Sequence, residues 1–325
     1  MKENVYLVTG AMGCIGSWVL RNLLDDGQKV VSADLGTQAT RARLLLEEDQ
    51  INQINWQQLD ITDGAALNHL VKESGISHII HLAGLQIPFC KADPPRGAAV
   101  NVLGTVNVLE AARQHEVKHV CYASSIAAFG PDSYYPEKPV ADNARLFPLS
   151  LYGVYTQANE ATAQVYWEDW QVGSIGLRPA VVYGVGRDQG LTSDLAKAIL
   201  AAAAGESFRI RFNGPIALQY ADDVARLFIA SANAGLEGAA ACNLRGDVIE
   251  VSDFVDVLKQ VCPSADISVA NEPSLPFPSD FDDSGLTKLL GTLPHTPLAR
   301  AIEDSLNRFE RLLSKGQIDL SQLEE

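Results

Sequence analysis

The segment Thr9-Gly10-Ala11-Met12-Gly13-Cys14-Ile15-Gly16 lies between an apolar run, Val5–Thr9, and a stretch with helical spacing of apolar residues, Ile15–Asp26. Glycines at this spacing allow a tight turn, a close approach of the backbone to a pyrophosphate, and close packing of the helix on the strand. The first turn of the helix then offers free amides and a positive dipole end to an anion. The segment therefore predicts an α/β fold whose first strand-to-helix turn binds a dinucleotide.

Short apolar runs alternate with helical stretches up to about Arg178. Several runs are almost continuously apolar, as expected for strands that helices cover on both faces. The predicted strands are Val5–Thr9, Lys29–Ala33, Asn55–Leu59, His78–Leu82, His119–Ala123 and Val172–Leu177. The predicted helices are Ile15–Asp26, Gly64–Glu73, Gly97–His115 and Leu151–Trp170. This alternation predicts a doubly wound parallel sheet of the Rossmann type.

The alternation stops after Arg178, where loops, an alanine-rich helix at Leu191–Ala204 and short β-like pieces follow. We therefore expect residues 1–178 to form the Rossmann domain, with residues 216–246 returning to it. Residues 179–215 and 247–325 are expected to form a smaller C-terminal lobe that binds the substrate.

The composition limits the possible partners. Of the 325 residues, 47% are hydrophobic, and 25 Lys and Arg stand against 40 Asp and Glu, a formal net charge of -15. So acidic a chain repels phosphate backbones and anionic lipids, so we expect neither nucleic acid nor a membrane as a partner. No stretch approaches the roughly 20 apolar residues that a membrane span needs.

Cysteine and histidine placement argues against disulfides and metals. The five cysteines are scattered and odd in number, which favours reduced thiols and a cytoplasmic location. Only His115 and His119 have the four-residue spacing of a helical metal pair, and they are expected to straddle a helix end and the next strand. We therefore expect no metal site.

Asp34 ends the second predicted strand, 18 residues past Gly16. A carboxylate there can accept hydrogen bonds from both ribose hydroxyls and repels a 2′-phosphate, which favours NAD over NADP. Arg41 and Arg43, further along, are a weak argument for NADP. A glycine turn that merely ends a strand is the structural alternative to dinucleotide binding.

These residues resemble the extended short-chain dehydrogenase/reductase family, the NAD-dependent epimerases and dehydratases, whose glycine signature corresponds to Thr9–Gly16. The resemblance spans about residues 5–310 and implies the Rossmann fold and NAD as cofactor. Further segments that resemble family landmarks are Leu59–Asp63, His81–Gly84, Asn101–Thr105, Tyr122–Ser125 with Phe129-Gly130, Leu177–Pro179 with Tyr183-Gly184, and Tyr220–Ala225.

The resemblance also implies the site residues. Ser125 takes the role of the catalytic Ser or Thr, and Tyr152 begins the family's Tyr-x-x-x-Lys motif, with Thr156 at the lysine position. The residues that the resemblance places against the cofactor are Gly10, Gly13, Cys14, Ile15, Gly16, Asp34, Asp60, Ile61, Leu82, Ala83, Gly84, Asn101, Ala123, Tyr152, Thr156, Pro179 and Val182.

Thr156 is the most informative departure from the family motif. The tyrosine must take a proton from an alcohol, and at an ordinary pKa of about 10 only about one in a thousand is ionised at pH 7. A nearby ammonium lowers that pKa, whereas a threonine supplies no charge. An engineered substitution that weakens turnover, natural drift to a weaker enzyme that works at higher pH, and a non-catalytic NAD-binding protein all explain the threonine.

The substrate region departs from nucleotide-sugar members of the family. Val181 stands where those members carry Asn, and the stretch Asn213–Tyr220 lacks the arginine that clamps a diphosphate, with Arg211 further upstream. We therefore expect a sugar, sugar acid or similar small polyol. Candidate substrate contacts are Gln86, Ser125, Arg187 and Thr192, and an interlobe salt bridge is the structural alternative for Arg187.

The resulting hypothesis is an NAD-dependent oxidoreductase of the epimerase/dehydratase family that acts on a hydroxyl or keto carbon and is weakened by Thr156. One alternative is a sugar or nucleotide-sugar epimerase or dehydratase with tightly bound NAD. Another is a catalytically silent NAD-binding sensor or scaffold. The resemblance also implies a homodimer formed by the helices Gly97–His115 and Leu151–Trp170.

Overall fold

The computed structural model describes residues 4–271 and 274–323. The outermost ends of the two expected domain ranges, and residues 272–273 within the second, therefore lie outside the described residues. The strands are β1 (Val5–Thr9), β2 (Lys29–Asp34), β3 (Asn55–Gln58), β4 (His78–His81), β5 (His119–Ala123), β6 (Ser174–Arg178), β7 (Val181–Tyr183), β8 (Phe208–Ile210), β9 (Pro215–Tyr220), β10 (Ala239–Asn243), β11 (Asp247–Glu250) and β12 (Ile267–Val269).

Four of the five predicted helices occur with ends that differ by at most three residues from the predicted bounds. The α-helices are α1 (Cys14–Asp25), α2 (Glu48–Ile51), α3 (Gly64–Glu73), α4 (Ile87–Ala92), α5 (Pro94–Ala98), α6 (Gly104–Gln114), α7 (Leu151–Trp170), α8 (Asp194–Ala204), α9 (Ala221–Ala234), α10 (Val251–Val261), α11 (Ser284–Leu290) and α12 (Leu298–Ser314).

A seven-stranded sheet lies at the centre of the described chain, in the order β10-β6-β5-β4-β1-β2-β3. Every neighbouring pair in it is parallel. The six predicted strands all occur in it, with ends that differ by at most two residues. The doubly wound fold is thus confirmed. Its order reverses between β1 and β4, so a crevice opens at the carboxyl ends of these strands.

Each face of the sheet has its own apolar core. Trp18 of α1 and Phe228 of α9 are completely buried on one face. Leu67 of α3, Val108 of α6 and Tyr166 of α7 pack on the other. Both cores place helices over the sheet, which explains why its strands are apolar on both sides.

The second part of the chain divides differently from the expectation. Strand β10 pairs with β6 and α9 packs on the main sheet, so residues 221–243 return to it. Strand β9, however, lies between β11 and β7 in a separate three-stranded sheet, and β8 pairs with β12. The segment that returns to the main sheet therefore begins after Tyr220 and not at Ile216. Strand β9 instead forms its hydrogen bonds with strands of the smaller lobe.

The predicted continuous helix Gly97–His115 is interrupted. A π-helical turn, Ala99–Leu103, separates α5 from α6. Within this turn, the Asn101 side chain accepts from the Leu85 amide at 2.8 Å and donates to the Leu85 carbonyl at 2.9 Å. Asn101 thus ties the loop after β4 to the π turn at the crevice. Single π turns inside helices are frequent at functional sites.

Within residues 4–271 and 274–323, no helix is long and apolar enough to cross a membrane. No group of three or more His, Cys, Asp or Glu side chains in the same ranges could hold a metal ion. The five cysteines carry free thiols.

Candidate functional site

Two adjoining cavities of about 270 and 540 Å³ lie at the carboxyl edge of the main sheet, and both border Gly10 and Gly13. Every site residue predicted from the sequence lines one of them. Those that line the smaller, catalytic cavity include Cys14, Ile15, Gly16, Gln86, Asn101, Ala123, Ser125, Tyr152, Thr156, Pro179, Val182, Arg187 and Thr192. Those that line the larger, ribose-side cavity include Asp34, Asp60, Ile61, Leu82, Ala83 and Gly84.

The glycine turn requires glycine at two positions. Gly10 has φ +65, and a Cβ on it would lie 2.5 Å from the Ala83 amide nitrogen. A Cβ on Gly16 would lie 2.4 Å from the Gly10 carbonyl oxygen. Gly13 is the N-cap of α1 and has no side chain to occupy the first amides, which are thus available to an anion.

Asp34 lines the ribose-side cavity. Its carboxylate accepts from the Met12 amide at 2.9 Å and from the Gly36 amide at 3.1 Å. A carboxylate with two oxygens keeps lone pairs for ribose hydroxyls after these bonds. The acid and the glycine turn together fit the adenosine and pyrophosphate parts of NAD.

Both nearby arginines, Arg41 and Arg43, already pair with carboxylates and are therefore not free to bind a 2′-phosphate. Arg41 forms a two-pronged ion pair with Asp188, with its Nε 2.9 Å and its Nη2 2.7 Å from carboxylate oxygens. Arg43 pairs with Glu48 at 2.5 Å. These two arginines therefore give no support for NADP over NAD.

Tyr152 and Ser125 both line the catalytic cavity. Burial raises the pKa of the Tyr152 phenol, whereas the Ser125 hydroxyl and the charge of Arg187 lower it. The Ser125 oxygen also accepts from the Ala127 amide at 3.1 Å. The neighbouring Ser124 hydroxyl donates to Glu160 at 2.5 Å.

Gly153 determines where Tyr152 lies. Ser150 is the N-cap of helix α7, and its hydroxyl accepts from the Gly153 amide at 3.1 Å. A Cβ on Gly153 would lie only 2.0 Å from the Ala127 carbonyl oxygen. The first turn of α7 therefore rests directly on the turn that carries Ser125, which brings the phenol to the alcohol.

Thr156 is 2% exposed, and its hydroxyl donates to the Gly153 carbonyl at 2.9 Å. Asn159, one turn further along α7, donates through Nδ2 to the Asn101 carbonyl at 2.9 Å. Both line the catalytic cavity. Sequence reasoning missed Asn159, although its spacing of three residues from Thr156 puts it on the same helix face.

His81 and Thr105, also missed, line the same cavity. The ring of His81 bonds to Thr9 at 2.6 Å and to Thr105 at 3.2 Å. Burial lowers the pKa of His81 to about 4, so the ring is neutral near pH 7.

Arg187 has no carboxylate partner among the described residues. Its Nη2 donates to Thr192 at 3.2 Å, and its Nε is buried with no hydrogen-bond partner. The neighbouring Asp188 is taken by Arg41. A Cβ on Gly190 would lie 2.4 Å from the Gln86 Oε1 and 3.1 Å from the Arg187 Nη2, so these side chains meet above Gly190. The salt-bridge alternative for Arg187 therefore has no support.

A doubly wound parallel sheet, a glycine-lined first turn, and a tyrosine and a serine that line one cavity at the sheet edge define the short-chain dehydrogenase/reductase class. The model of the NAD dependent epimerase/dehydratase family matches residues 6–244, and the chain belongs to this family.

Similar proteins include epimerases and dehydrogenases. The chain is 30% identical to a UDP-glucose 4-epimerase from Mycolicibacterium smegmatis over 93% of this chain and 97% of that protein. The solved UDP-glucose 4-epimerase of Thermotoga maritima superposes with a TM-score of 0.81 at 20% identity, covering 95% and 99% of the two chains. An L-threonine dehydrogenase from Clostridium difficile gives a TM-score of 0.82 at 22% identity, covering 98% and 100%. The two superpositions show a shared fold.

Gly10→Ala should cost much more stability than Gly27→Ala. Both glycines have positive φ, +65 and +67, but a Cβ on Gly27 meets nothing within 4 Å. Gly27→Ala should thus show only the backbone cost of about 1–2 kcal/mol. Gly10→Ala adds a clash with the backbone of Leu82 and Ala83, just after β4, and should also weaken NADH binding. Urea unfolding and NADH fluorescence titration measure the two effects, and equal losses of stability in the two variants would refute the proposed contact.

Proposed function

We propose that the protein is an NAD-dependent oxidoreductase that acts on a hydroxyl or keto carbon of a sugar, sugar acid or similar small polyol. The observation that carries the proposal is that Tyr152 and Ser125 line the same cavity, which continues to the glycine turn. The open first turn of α1 and the Asp34 carboxylate support NAD as the cofactor.

In this reaction NAD, when bound, supplies the hydride acceptor. Tyr152, as a phenolate, takes the proton of the substrate hydroxyl, and Ser125 donates a hydrogen bond to the same oxygen. The substrate carbon loses its hydrogen as a hydride, which carries two electrons to NAD, and becomes a carbonyl carbon, while the hydroxyl proton goes to Tyr152. Reduction is the reverse, with Tyr152 returning the proton.

Thr156 weakens this chemistry near neutral pH. Burial raises the pKa of Tyr152, and Thr156 brings no charge to oppose that effect. With an ordinary pKa of about 10, only about one phenol in a thousand is ionised at pH 7, and a raised pKa reduces that fraction further. Turnover should therefore rise with pH across the neutral range.

Arg187 supports a substrate that carries a carboxylate. A half-buried guanidinium with an unpaired Nε gains charge-assisted hydrogen bonds when an anion enters the cavity. Gln86 and Thr192 lie beside it and can bind neighbouring hydroxyls. Arg211, the nearest upstream arginine to the diphosphate-clamp stretch, forms an ion pair with Asp194 at 2.7 Å. Sugar acids are accordingly the preferred substrate class.

The function is tested with a panel of sugar acids, free sugars and polyols in the presence of excess NAD. We expect NADH to accumulate with at least one compound, more rapidly at pH 9 than at pH 7. Tyr152→Phe should lose turnover by a factor of a hundred or more while NADH binding persists, because general acid–base catalysis contributes about 10²–10⁴-fold. NADH production by Tyr152→Phe at the wild-type rate would contradict the assignment of Tyr152.

A second candidate is a sugar or nucleotide-sugar epimerase, which the similarity to the Mycolicibacterium smegmatis enzyme favours. Such an enzyme interconverts substrate and product without net redox change, so no NADH accumulates in the steady state. Product analysis of the same panel, extended to UDP-sugars, separates the two candidates. Should every compound stay inert even with Thr156→Lys while NAD still binds, the silent sensor or scaffold becomes the better explanation.

Arg187→Gln should discriminate between substrates by charge. For a sugar acid, we expect KM to rise at least tenfold, because a lost charge-assisted hydrogen bond costs about 1.5–3 kcal/mol. For an uncharged polyol, KM should change little. Arg209→Gln, on an exposed position of β8, is the matched control. An equal loss for both substrate types would argue against carboxylate recognition.

We propose a homodimer that pairs α7 with its copy. One face of α7 exposes Leu151, Val154 and Val165 to 40%, 45% and 50%, and Leu103 of the π turn is exposed to 46%. Val165→Glu should dissociate the dimer in sedimentation velocity, whereas Val248→Glu, on β11 of the smaller lobe, should not. A wild-type protein that sediments as a monomer would contradict the proposal.

The free thiols support a cytoplasmic location.

A further inference from the structure

A short segment of the smaller lobe extends over the first turn of α1, and the proposed reaction gives it no role beyond carrying Arg187. It runs from Gly184 to Gly190, after β7, and we call it the strap. The glycines at its two ends both have positive φ, +129 at Gly184 and +100 at Gly190. Glycine adopts such angles at little cost, so the backbone of the strap can change direction at either end.

The strap lies directly on the glycine turn. A Cβ on Gly186 would lie 4.0 Å from the Cys14 Cα and 3.8 Å from the Arg41 Cβ. A third cavity, of about 190 Å³, opens between the strap and the loop after β4, and its lining includes Gly13, Cys14, Arg41 and Asp188. Because the first amides of α1 are available to an anion, a pyrophosphate bound to them would be covered by the strap.

Two contacts hold the strap in this position. At its base, the indole Nε1 of Trp18 on α1 donates to the Val185 carbonyl at 3.0 Å, and both side chains are completely buried. At its tip, Asp188 accepts from the Arg41 Nε at 2.9 Å and from its Nη2 at 2.7 Å. The Arg41 and Asp188 side chains are 26% and 27% exposed. The base contact is thus enclosed in the core, whereas water reaches the tip contact and can replace it.

The ion pair of Arg41 and Asp188 connects the two lobes. Arg41 follows β2 of the main sheet, and Asp188 belongs to the strap of the smaller lobe. Both residues line the ribose-side cavity and the third cavity, which also share Gly13. The pair therefore lies where these two cavities meet, on the route of a dinucleotide to the first amides of α1.

The charge of Asp188 does not suit a direct contact with the cofactor. A carboxylate near a pyrophosphate raises the electrostatic energy of the complex, since both groups are anionic. The favourable contact of Asp188 is the one with Arg41, which compensates its charge. This arrangement indicates that Asp188 holds the strap in place and does not bind the dinucleotide itself.

We propose that Arg41 and Asp188 form a latch that closes the strap over the pyrophosphate of bound NAD or NADH and sets the rates at which the dinucleotide enters and leaves. Opening breaks this ion pair, while Trp18 keeps the base of the strap in place. The inference rests on the proposed cofactor. A dehydrogenase must exchange its NADH for NAD in every turnover, so its kcat cannot exceed the rate at which the latch releases NADH. An epimerase that keeps its cofactor has no such limit.

The latch is tested by stopped-flow fluorescence on the full chain, with NADH as the probe. Asp188→Asn should accelerate both the association of NADH and its release in a chase with excess NAD. We expect each rate to rise about fivefold, the factor that an ion pair at this exposure contributes to an opening equilibrium. Because the latch opens for entry and for exit, Kd should change much less than either rate.

Electrostatics without a latch predicts the opposite sign for release. In Asp188→Asn, Arg41 loses its carboxylate partner and would attract the pyrophosphate more strongly, so NADH would leave more slowly. Slower release, or rates equal to those of the wild type, would overturn the latch.

Glu48→Gln is the matched control, because it also removes one negative charge from an arginine of the same segment. It breaks the pair of Arg43 with Glu48, whose side chains are 52% and 67% exposed. Both NADH rates should equal those of the wild type. An acceleration as large as that of Asp188→Asn would assign the effect to net charge and overturn the latch.

The outcomes separate the latch from the proposed function. If Asp188→Asn exchanges NADH faster than the wild type while no compound of the substrate panel is turned over, the latch stands and the proposed function fails. If a compound is turned over but both proteins exchange NADH at the same rates, the proposed function stands and the latch is overturned. A wild-type protein that binds no NADH would overturn both.

Discussion

Backbone contact at two glycines determines the geometry of the site. At Gly10, the turn after β1 passes so close to the end of β4 that a Cβ would lie 2.5 Å from the Ala83 nitrogen. At Gly153, the first turn of α7 lies on the Ala127 carbonyl with no room for a side chain. The first contact shapes the cradle for a pyrophosphate, and the second brings Tyr152 to Ser125. Backbone on both sides of each contact makes the arrangement rigid.

Ion pairs around the site then decide which charges a ligand meets. Arg178 is buried against Glu160, with its Nε 2.7 Å from a carboxylate oxygen, and this pair ties β6 to α7. Arg41 is held by Asp188 across the mouth of the ribose-side cavity. Because these cations are compensated, Arg187 remains as the positive group that faces the catalytic cavity. In a chain of net charge -15, one uncompensated cation is a strong guide to where an anionic group of the substrate binds.

The sequence allowed prediction of those features that depend on local pattern. Strand bounds in the first half agree within two residues, because apolar runs and glycine turns are local signals. The π turn at Ala99–Leu103 was not predictable, since it depends on the pairing of Asn101 with the distant Leu85. The expectation that the return to the Rossmann domain begins at residue 216 was wrong for the same reason, because the partners of strand β9 are set by tertiary packing.

Asn159 shows how a local pattern and tertiary structure combine. Helical spacing alone puts it on the face of Thr156, but only the fold reveals that its Nδ2 is committed to Asn101 while its Oδ1 is buried without a donor. The helix position of Asn159 is thus a local signal, whereas the partner of each of its side-chain atoms is set by the tertiary structure.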